Sequence, residues 1–534
     1  MDIGLLRQGE FLETDVSLID PTKADVLNRQ EHRRRMARLK STESSDVLVI
    51  GAGPAGAAAA RLLAGWGHDV ILVDRPGSGA ARLAESIPPS ADKILREIGA
   101  IDAVRAAGHL PWRGNTVWWA NEPARVETFA GDPGYQVLRR DFDRILRSQA
   151  TGAGARIEEG RVVEVRLPQS PDDLCTVAVD QAGALTIFHA RLVIDASGRA
   201  GALARDGLRV LDPARRTIAV AGSWQCDARW PIEDESHTLV ASYAGGWAWS
   251  VPVDMAVRQF TVMVDPSNSD LIRNSPSRDV YLAEIAKVSP FARVLEHAHL
   301  IEPPWGADAS EYTARRYAGA GFLLAGDAGS AINPLSSFGV KKALASGWLA
   351  AVAAHTALVD PAMADQAFAF FDRRERAVVA AAARQASRFA VEAAARGNHP
   401  FWLVRAGSPQ ASSEAVEPDP AELSRDPAVL AAFADLRTRP AIHLRQAADV
   451  RIEPRAAIQG REIVLEPQIV SPAWPDGIRY LRGVDLVALL TLAPRYRDVG
   501  ALYDALQSTG PEVELPNVLG ALSVLVADGT LIHE

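Results

Sequence analysis

The sequence predicts an α/β protein, α+β overall, in which a βαβ unit carries an antiparallel sheet, a helical region and a C-terminal module. Three observations predict it. The apolar run Asp46–Ile50 reads as a buried strand, Gly51-Ala52-Gly53-Pro54-Ala55-Gly56 turns it into an Ala-rich helix over 54–66, and Asp69–Val73 reads as a second strand ending at Asp74. From 217 to 265 the segments TIAVAGSW, HTLVASYA, WAWSVPV and FTVMVD read as strands with little helix between them. From 441 onward, short strands at 449–453, 462–466 and 478–481 precede helices at 484–493, 498–507 and 516–527.

The remaining elements follow in order. Residues 1–44 form an arm that includes the basic stretch Glu31–Lys40, read as a solvated face. Pro88 and Pro89 make Glu85–Pro89 an extended loop, and Ser90 caps a helix from Ala91 to Ile98 that closes at Gly99. Trp112–Trp119 reads as one strand with three tryptophans, and Arg139–Leu146 as an amphipathic helix. Strands follow at 161–167, 174–179, 185–189 and 191–195, the last running into Asp195-Ala196-Ser197-Gly198. The antiparallel segments form a sheet, at about 205–305, that roofs a substrate cavity, with helices over 278–299 beside it. Phe322–Ala325 returns the chain to the first domain as a strand, then come Gly326-Asp327, the loop 333–340 and an Ala/Arg-rich helical region to about 396. The expected division is arm 1–44, core 45–400, linker 401–440, and a winged-helix-like module 441–534.

Composition bounds the function. The chain has 534 residues and a net charge of −9, which offers no bulk attraction to nucleic acid or an anionic membrane. Its two cysteines, Cys175 and Cys226, have no metal-ligand spacing, so no metal site is expected and a reducing cytoplasm fits. The N-terminus lacks the pattern of a secretory signal. The longest apolar run, near 343–359, is interrupted by Ser346 and His355 and reads as a packed helix rather than a membrane span. The module at 441–534 holds eight arginines, no lysine and twelve carboxylates, whereas a DNA reader carries a basic face; a protein or peptide partner, or simple packing, suits it better.

The glycine turn carries a specific chemistry. Gly51 makes the tight turn, Gly53 lets a pyrophosphate approach the backbone, and Gly56 lets helix and strand pack closely. The helix N-terminus supplies N–H groups and positive dipole for phosphates. Asp74 stands where a ribose-binding carboxylate is expected. The alternative is a Gly-rich turn without a ligand.

Taken together, the motifs resemble the flavin-dependent monooxygenases of the glutathione-reductase-like class, and within it the flavin-dependent halogenase branch. The resemblance covers about 45–395. It rests on GAGPAG at 51–56, Asp74, Ala84-Glu85-Ser86, Arg139 with Phe142 and Asp143, Asp195-Ala196-Ser197-Gly198, Gly326-Asp327, Pro334 and Gly339-Val340. Gly246-Trp247-Ala248-Trp249-Ser250-Val251-Pro252 is similar to the branch's GxWxWxIP signature, with Val for Ile. It implies a Rossmann-like fold and FAD. It also implies that Gly51, Gly53, Pro54, Ala55 and Gly56 hold the pyrophosphate, with Asp74 and Arg75 at the adenosine ribose. Arg139 would reach FAD, Gly326-Asp327 the ribityl or phosphate region, and the backbone from Ser337 to Gly339 and Val340 the isoalloxazine ring, with Pro334 also among the FAD-binding residues and Ser337 and Phe338 lining the substrate pocket.

One departure separates two chemistries. The halogenases carry an essential lysine two residues before a glycine, in a strand of the form K-x-G-x-x-F-x-W. The matching string here is Trp112-Arg113-Gly114-Asn115-Thr116-Val117-Trp118-Trp119, with Trp112 in the lysine's position. An indole cannot donate a proton to hypohalous acid as an ammonium can. Lys93 lies on another element, and no lysine occurs between 94 and 286. The resemblance therefore implies oxygenation through a flavin C4a-hydroperoxide, with O2 as co-substrate. Trp112, Trp118, Trp119, Trp247 and Trp249 are candidates for an aromatic wall against the substrate, core packing being the alternative for each. Glu85 is the candidate general acid or base; otherwise it is a loop carboxylate held by backbone N–H groups.

The acidic module resembles peptide-recognition domains of ribosomal-peptide tailoring enzymes. Together with the missing lysine, it is similar to the branch that hydroxylates a tryptophan within a protein during tryptophylquinone biogenesis. The expected partners are a peptide or protein substrate in a maturation complex and a separate flavin reductase, since no second dinucleotide fingerprint occurs. The alternatives are a halogenase of an indole, phenol or pyrrole, a reductase of isoprenoid type, and a non-catalytic flavoprotein scaffold.

Overall fold

The computed structural model describes residues 39–77, 82–120, 123–205, 207–267, 269, 278–336, 338–407, 423, 425–439 and 441–533. Most of the expected arm and Ser337 lie outside the described residues. In chain order, the first elements used below are β1 (Leu39–Ile50), α1 (Pro54–Gly65), β2 (Val70–Asp74), β3 (Ala84–Ile87), β4 (Gly134–Leu138), α2 (Arg139–Gly152) and β5 (Ala184–Asp195). After them come β6 (Gly246–Pro252), β7 (Phe322–Leu324), α3 (Gly339–Val359), α4 (Ala364–Arg396), α5 (Pro400–Ala406), α6 (Pro427–Thr438), β8 (Arg451–Gln459), β9 (Glu462–Val470) and α7 (Leu515–Ala527).

The first layer is a parallel sheet centred on β1. β2 and β5 flank it, with Ile50 opposite Val73 on one side and Asp195 on the other. β7 runs parallel beside β5, and Arg156–Glu159 beside β2. The carboxyl ends of β1, β2, β5 and β7 thus share one edge, the edge at which ligands bind in such sheets. β1 starts at Leu39, earlier than expected, because β5 pairs with it along its whole length. For the same reason the two strands expected at 185–189 and 191–195 are one.

Helices α1 and α3 cover this sheet. A Cβ on Gly347 of α3 would overlap the Ala55 carbonyl of α1, so that glycine sets how closely the two helices approach. Among the described residues, α3 is the one helix long and apolar enough to cross a membrane, and most of its apolar window is buried in the core.

The second layer is an eight-stranded sheet. Its order is Ala298–Leu300, Ile218–Cys226, Val257–Val264, β6, Thr238–Tyr243, Gly114–Trp118 and Arg125–Thr128, with Trp305–Asp308 also on the second of these. It is antiparallel except where Thr238–Tyr243 meets Gly114–Trp118. The helices Arg278–Ala286 and Ser289–Val294 help build the core on one face, and α4 and α5 pack on the other. A small sheet, β3–β4–(Leu110–Trp112), lies between the layers, so Glu85–Pro89 is not the loop expected but opens within a strand.

Two local expectations change. Ser90 does not cap the helix Ala91–Glu97; it is itself in helical conformation, and its hydroxyl receives the Lys341 ammonium at 2.9 Å. The segment 401–440, expected as linker, contains most of α5 and all of α6. α5 buries Phe401 and Trp402 against the second sheet's face, and α6 buries Val429 and Leu436 in the C-terminal core.

From α6 onward the chain forms its own apolar core, closed by the pairing of Leu444–Gln446 with Leu531–His533. Its long hairpin, β8–β9, does not stand free as a wing would. Ile463 at its tip is buried in the core of the first layer, and its N–H donates to Thr356 Oγ1 of α3 at 2.8 Å.

Candidate active site

The glycine turn sits at the end of β1. Gly51 has φ +96°, and a Cβ there would lie 2.5 Å from the Ala196 carbonyl oxygen, because the turn after β5 crosses directly over it. A Cβ on Gly56 would overlap the Gly51 carbonyl. Gly53 is different: a Cβ there meets nothing within 4 Å. It is the N-cap of α1 and no side chain caps the helix, while Pro54, Ala55 and Gly56 form its buried first turn. An open face beside uncapped N–H groups is what a pyrophosphate needs.

Charged groups cluster among the elements that follow this turn. Asp74 is buried at the end of β2 and receives Arg147 Nη1 at 3.2 Å; Arg75, next in the chain, is exposed. Arg139 opens α2. Its Nε and Nη2 both donate to the Asp143 carboxylate at 3.0 Å, and Nη1 donates to Glu85 Oε1 at 3.2 Å. Burial lowers the Arg139 pKa, but Glu85 and Asp143 outweigh it and the net direction is up. Burial raises the pKa of both carboxyls, and Arg139 offsets only part of this. Glu85 also feels the charge of Asp327, so the structure brings Glu85, Arg139 and Asp327 into one electrostatic group. Glu85 is held by a guanidinium rather than by the backbone N–H groups considered as its alternative.

Gly326-Asp327 forms a 3-10 turn after β7, and Tyr312 donates its hydroxyl to the Asp327 carbonyl at 2.6 Å. Lys342 holds the turn from beneath. Its buried ammonium donates to the Gly326 carbonyl at 2.9 Å and to the Ser330 carbonyl, with Asp327 Oδ1 at 3.7 Å. Sequence reasoning stopped at Gly339-Val340 and missed this residue; its signal was a charged position on an otherwise apolar helix. Asp195, which carried part of the sequence resemblance, is a turn-former: buried, it accepts from the N–H groups of Ser197 and Leu203. Pro334 begins the turn Pro334–Ser336, Phe338 is the N-cap of α3, and Gly339 and Val340 are its first residues.

The five tryptophans do not form one wall. Trp119, Trp247 and Trp249 share a cluster with Phe401 and Trp402 of α5; Trp247 stacks on Trp249 with centroids 4.9 Å apart, and Trp119 meets Trp402 edge-on at 5.4 Å. Trp118 faces the other way, against Phe291, because neighbours along an extended chain point to opposite faces. Trp112 belongs to a different strand and sheet, since the chain breaks pairing at Arg113. It is buried against Phe129, with its indole N–H on the Gly114 carbonyl at 2.7 Å. A narrow cleft runs beside the first cluster, lined by Trp247, Asn333, Leu335, Trp402 and Arg405 among others, and no lysine is among its lining groups. Phe401, Trp402 and Arg405 were missed because 401–440 read as linker; the signal was His399-Pro400, whose imidazole caps α5 by accepting from the Phe401 N–H.

The sequence profile described as "FAD binding domain" matches residues 44–354, more than half of the chain. The chain belongs to that family. Its cofactor is FAD, and the open face at Gly53, the uncapped helix end and the buried Asp74 all fit it. A tryptophan 2-halogenase of Chondromyces crocatus is 29% identical over 337 residues, covering 62% of this chain and 65% of the relative. The flavin-dependent halogenase armH1 of Armillaria mellea is 29% identical over 337 residues, covering 58% and 64%. Both matches thus span slightly less than two thirds of the relative. Among solved structures, CmlS, a flavin-dependent halogenase, superposes with a TM-score of 0.75 at 23% identity, covering 91% of this chain and 96% of that one. The peptidyl tryptophan dihydroxylase QhpG, described as essential for tryptophylquinone cofactor biogenesis, superposes with 0.64 at 24% identity, covering 86% and 95%. At these identities the two structures speak for the fold of this family member.

Proposed function

We propose that this chain is an FAD-dependent monooxygenase that hydroxylates an aromatic ring, a tryptophan side chain within a peptide or protein during quinone cofactor maturation. The observation that carries oxygenation over halogenation is Trp112. The motif resemblance puts the halogenases' lysine position at Trp112, which is a buried indole whose N–H is committed to Gly114. Two cations at the start of α3 are already engaged: Lys342 holds two carbonyls of the Gly326–Ser330 segment, and Lys341 holds Ser90. The peptide reading is supported by the fold shared with QhpG and by the acidic C-terminal unit.

FAD, when bound and reduced, supplies the oxygen-activating chemistry. The chain's residues do the rest. The Gly51–Gly56 turn and the first turn of α1 would hold the pyrophosphate, Asp74 the adenosine ribose, and Asp327, on the turn that Lys342 fixes, the ribityl side. Arg139 offsets part of the negative charge of Glu85 and Asp143, which would otherwise repel the cofactor's phosphates. Phe338, Gly339 and Val340 form the N-terminus of α3, whose positive dipole would stabilise negative charge on the reduced ring. Trp119, Trp247 and Trp249, packed on one another and on α5, would form a water-excluding wall beside an aromatic substrate. Glu85, whose carboxyl pKa is raised by burial, would be the group that moves a proton.

A second reading, halogenation, is favoured by the names of the relatives. Mass spectrometry of a tryptophan-bearing peptide after incubation with reduced enzyme, O2 and halide separates the two. One or two added oxygens are expected; a halogen-sized shift would overturn the proposal.

A further inference from the structure

Beneath the tip of the β8–β9 hairpin lies a polar cluster that has no part in the flavin site. His68, just beyond α1, and His355, near the end of α3, face each other with His68 Nε2 and His355 Nδ1 2.8 Å apart. A hydrogen bond between two imidazole nitrogens needs one donor and one acceptor, so at least one ring is neutral. The hairpin closes over the pair. Glu462 Oε1 is 4.0 Å from His355 Nε2, Arg461 lies over the Trp66 ring at 5.8 Å, and Trp66 in turn packs on His355 with centroids 5.1 Å apart. Ile463, the next residue, enters the core and bonds Thr356, the neighbour of His355.

We propose that this histidine pair is a proton-sensitive latch for the hairpin: with one shared proton or none the tip stays seated, and when both rings are charged it lifts from α1 and α3. Two imidazoliums would set N–H against N–H at hydrogen-bond distance and lose the only acceptor between them. Other charges modulate the pair. Asp46 favours the charged form of His68 and Arg191 opposes it; Glu462 favours charged His355 and Arg461 opposes it. For both rings burial is the largest influence and moves the pKa down. The folded pair therefore binds fewer protons than free imidazoles do. Its contribution to docking is present above the ordinary histidine value and is lost as pH falls below it. The latch would connect acidity to how firmly the C-terminal unit holds the FAD-binding core.

The test uses the full-length, FAD-loaded protein and hydrogen–deuterium exchange over residues 456–466, with intrinsic rates divided out. Wild type should lose about tenfold or more of its protection between about pH 7.5 and pH 5. His68→Gln, which keeps a side-chain donor but takes no proton, should hold its protection across that range. NMR titration of wild type covers the case in which the variant does not fold: one imidazole should resist protonation until the hairpin signals shift with it. Protection that is equal at both pH values, an unchanged step in the variant, or full protonation of both rings while the hairpin stays seated would each overturn the latch.

Discussion

At Arg139 one guanidinium answers two carboxylates, and this uneven pairing makes a pH prediction at Glu85. The Glu85 carboxyl has its pKa raised by burial, with Arg139 offsetting only part of the effect. The folded chain thus gives up this proton at higher pH than the unfolded chain does. Stability from Glu85 is fully present below the unfolded carboxyl's value and is lost as pH rises through the folded one. Glu85→Gln removes that loss. The variant's stability relative to wild type, from urea midpoints of the FAD-free protein, should therefore rise between about pH 4.5 and pH 7.5. A difference that stays flat across this range would mean that Glu85 is solvated and ordinary. Turnover gives a second check on the same residue, because full activity in the variant would remove it as the acid or base.

The glycine turn and α1 show what is legible at the scale of an element. Each of the three glycines was assigned a separate task from spacing alone, and the structure separates them physically. Gly56 packs against the Gly51 carbonyl, whereas Gly53 faces open space. Gly56→Ala should thus destabilise the protein itself, by about 1–3 kcal/mol, since the overlapping atom belongs to the backbone and cannot turn aside. Gly53→Ala should leave the FAD-free chain within about 0.5 kcal/mol of wild type, yet weaken FAD binding about tenfold or more, because its methyl enters the space left for the pyrophosphate. Urea denaturation and FAD titration read the two effects apart; equal loss of stability in both variants would contradict the assignment. Elements of this kind are legible because local chemistry defines them. Lys342, Trp402 and Arg405 were not, because their partners are carbonyls and rings brought to them by the fold, such as Gly326 for Lys342, Tyr243 for Trp402 and Arg216 for Arg405. Trp118 was misplaced for a simpler reason: a run of tryptophans catches the eye, but alternation along a strand sends neighbours to opposite faces.

At the scale of the whole molecule, the first layer and the antiparallel sheet were readable because strand patterns and glycine turns repeat there. The junction with the C-terminal unit was not. The segment 401–440 was expected as a linker, but α6 belongs to the C-terminal core and the β8–β9 hairpin reaches back to α3. This changes what truncation should do. A chain ending at 440 keeps α6 without α7, the helix it packs against, and leaves Val429 and Leu436 uncovered. Such a chain should aggregate. A chain ending at 424 removes nearly all of the C-terminal core and uncovers the part of the first core that Ile463 fills and on which Ala456 and Ile458 pack. Losing that contact costs about 1.5–3 kcal/mol, a fall in melting temperature of several degrees. FAD should stay bound, because Gly51–Gly56, Asp74, Arg139 and Asp327 all precede the cut. If the C-terminal unit recognises the substrate, the shorter chain should lose affinity for a tryptophan-bearing peptide while its FAD spectrum is unchanged. Retained peptide affinity would leave the unit a structural clamp and move recognition to the cleft beside Trp247 and Trp402.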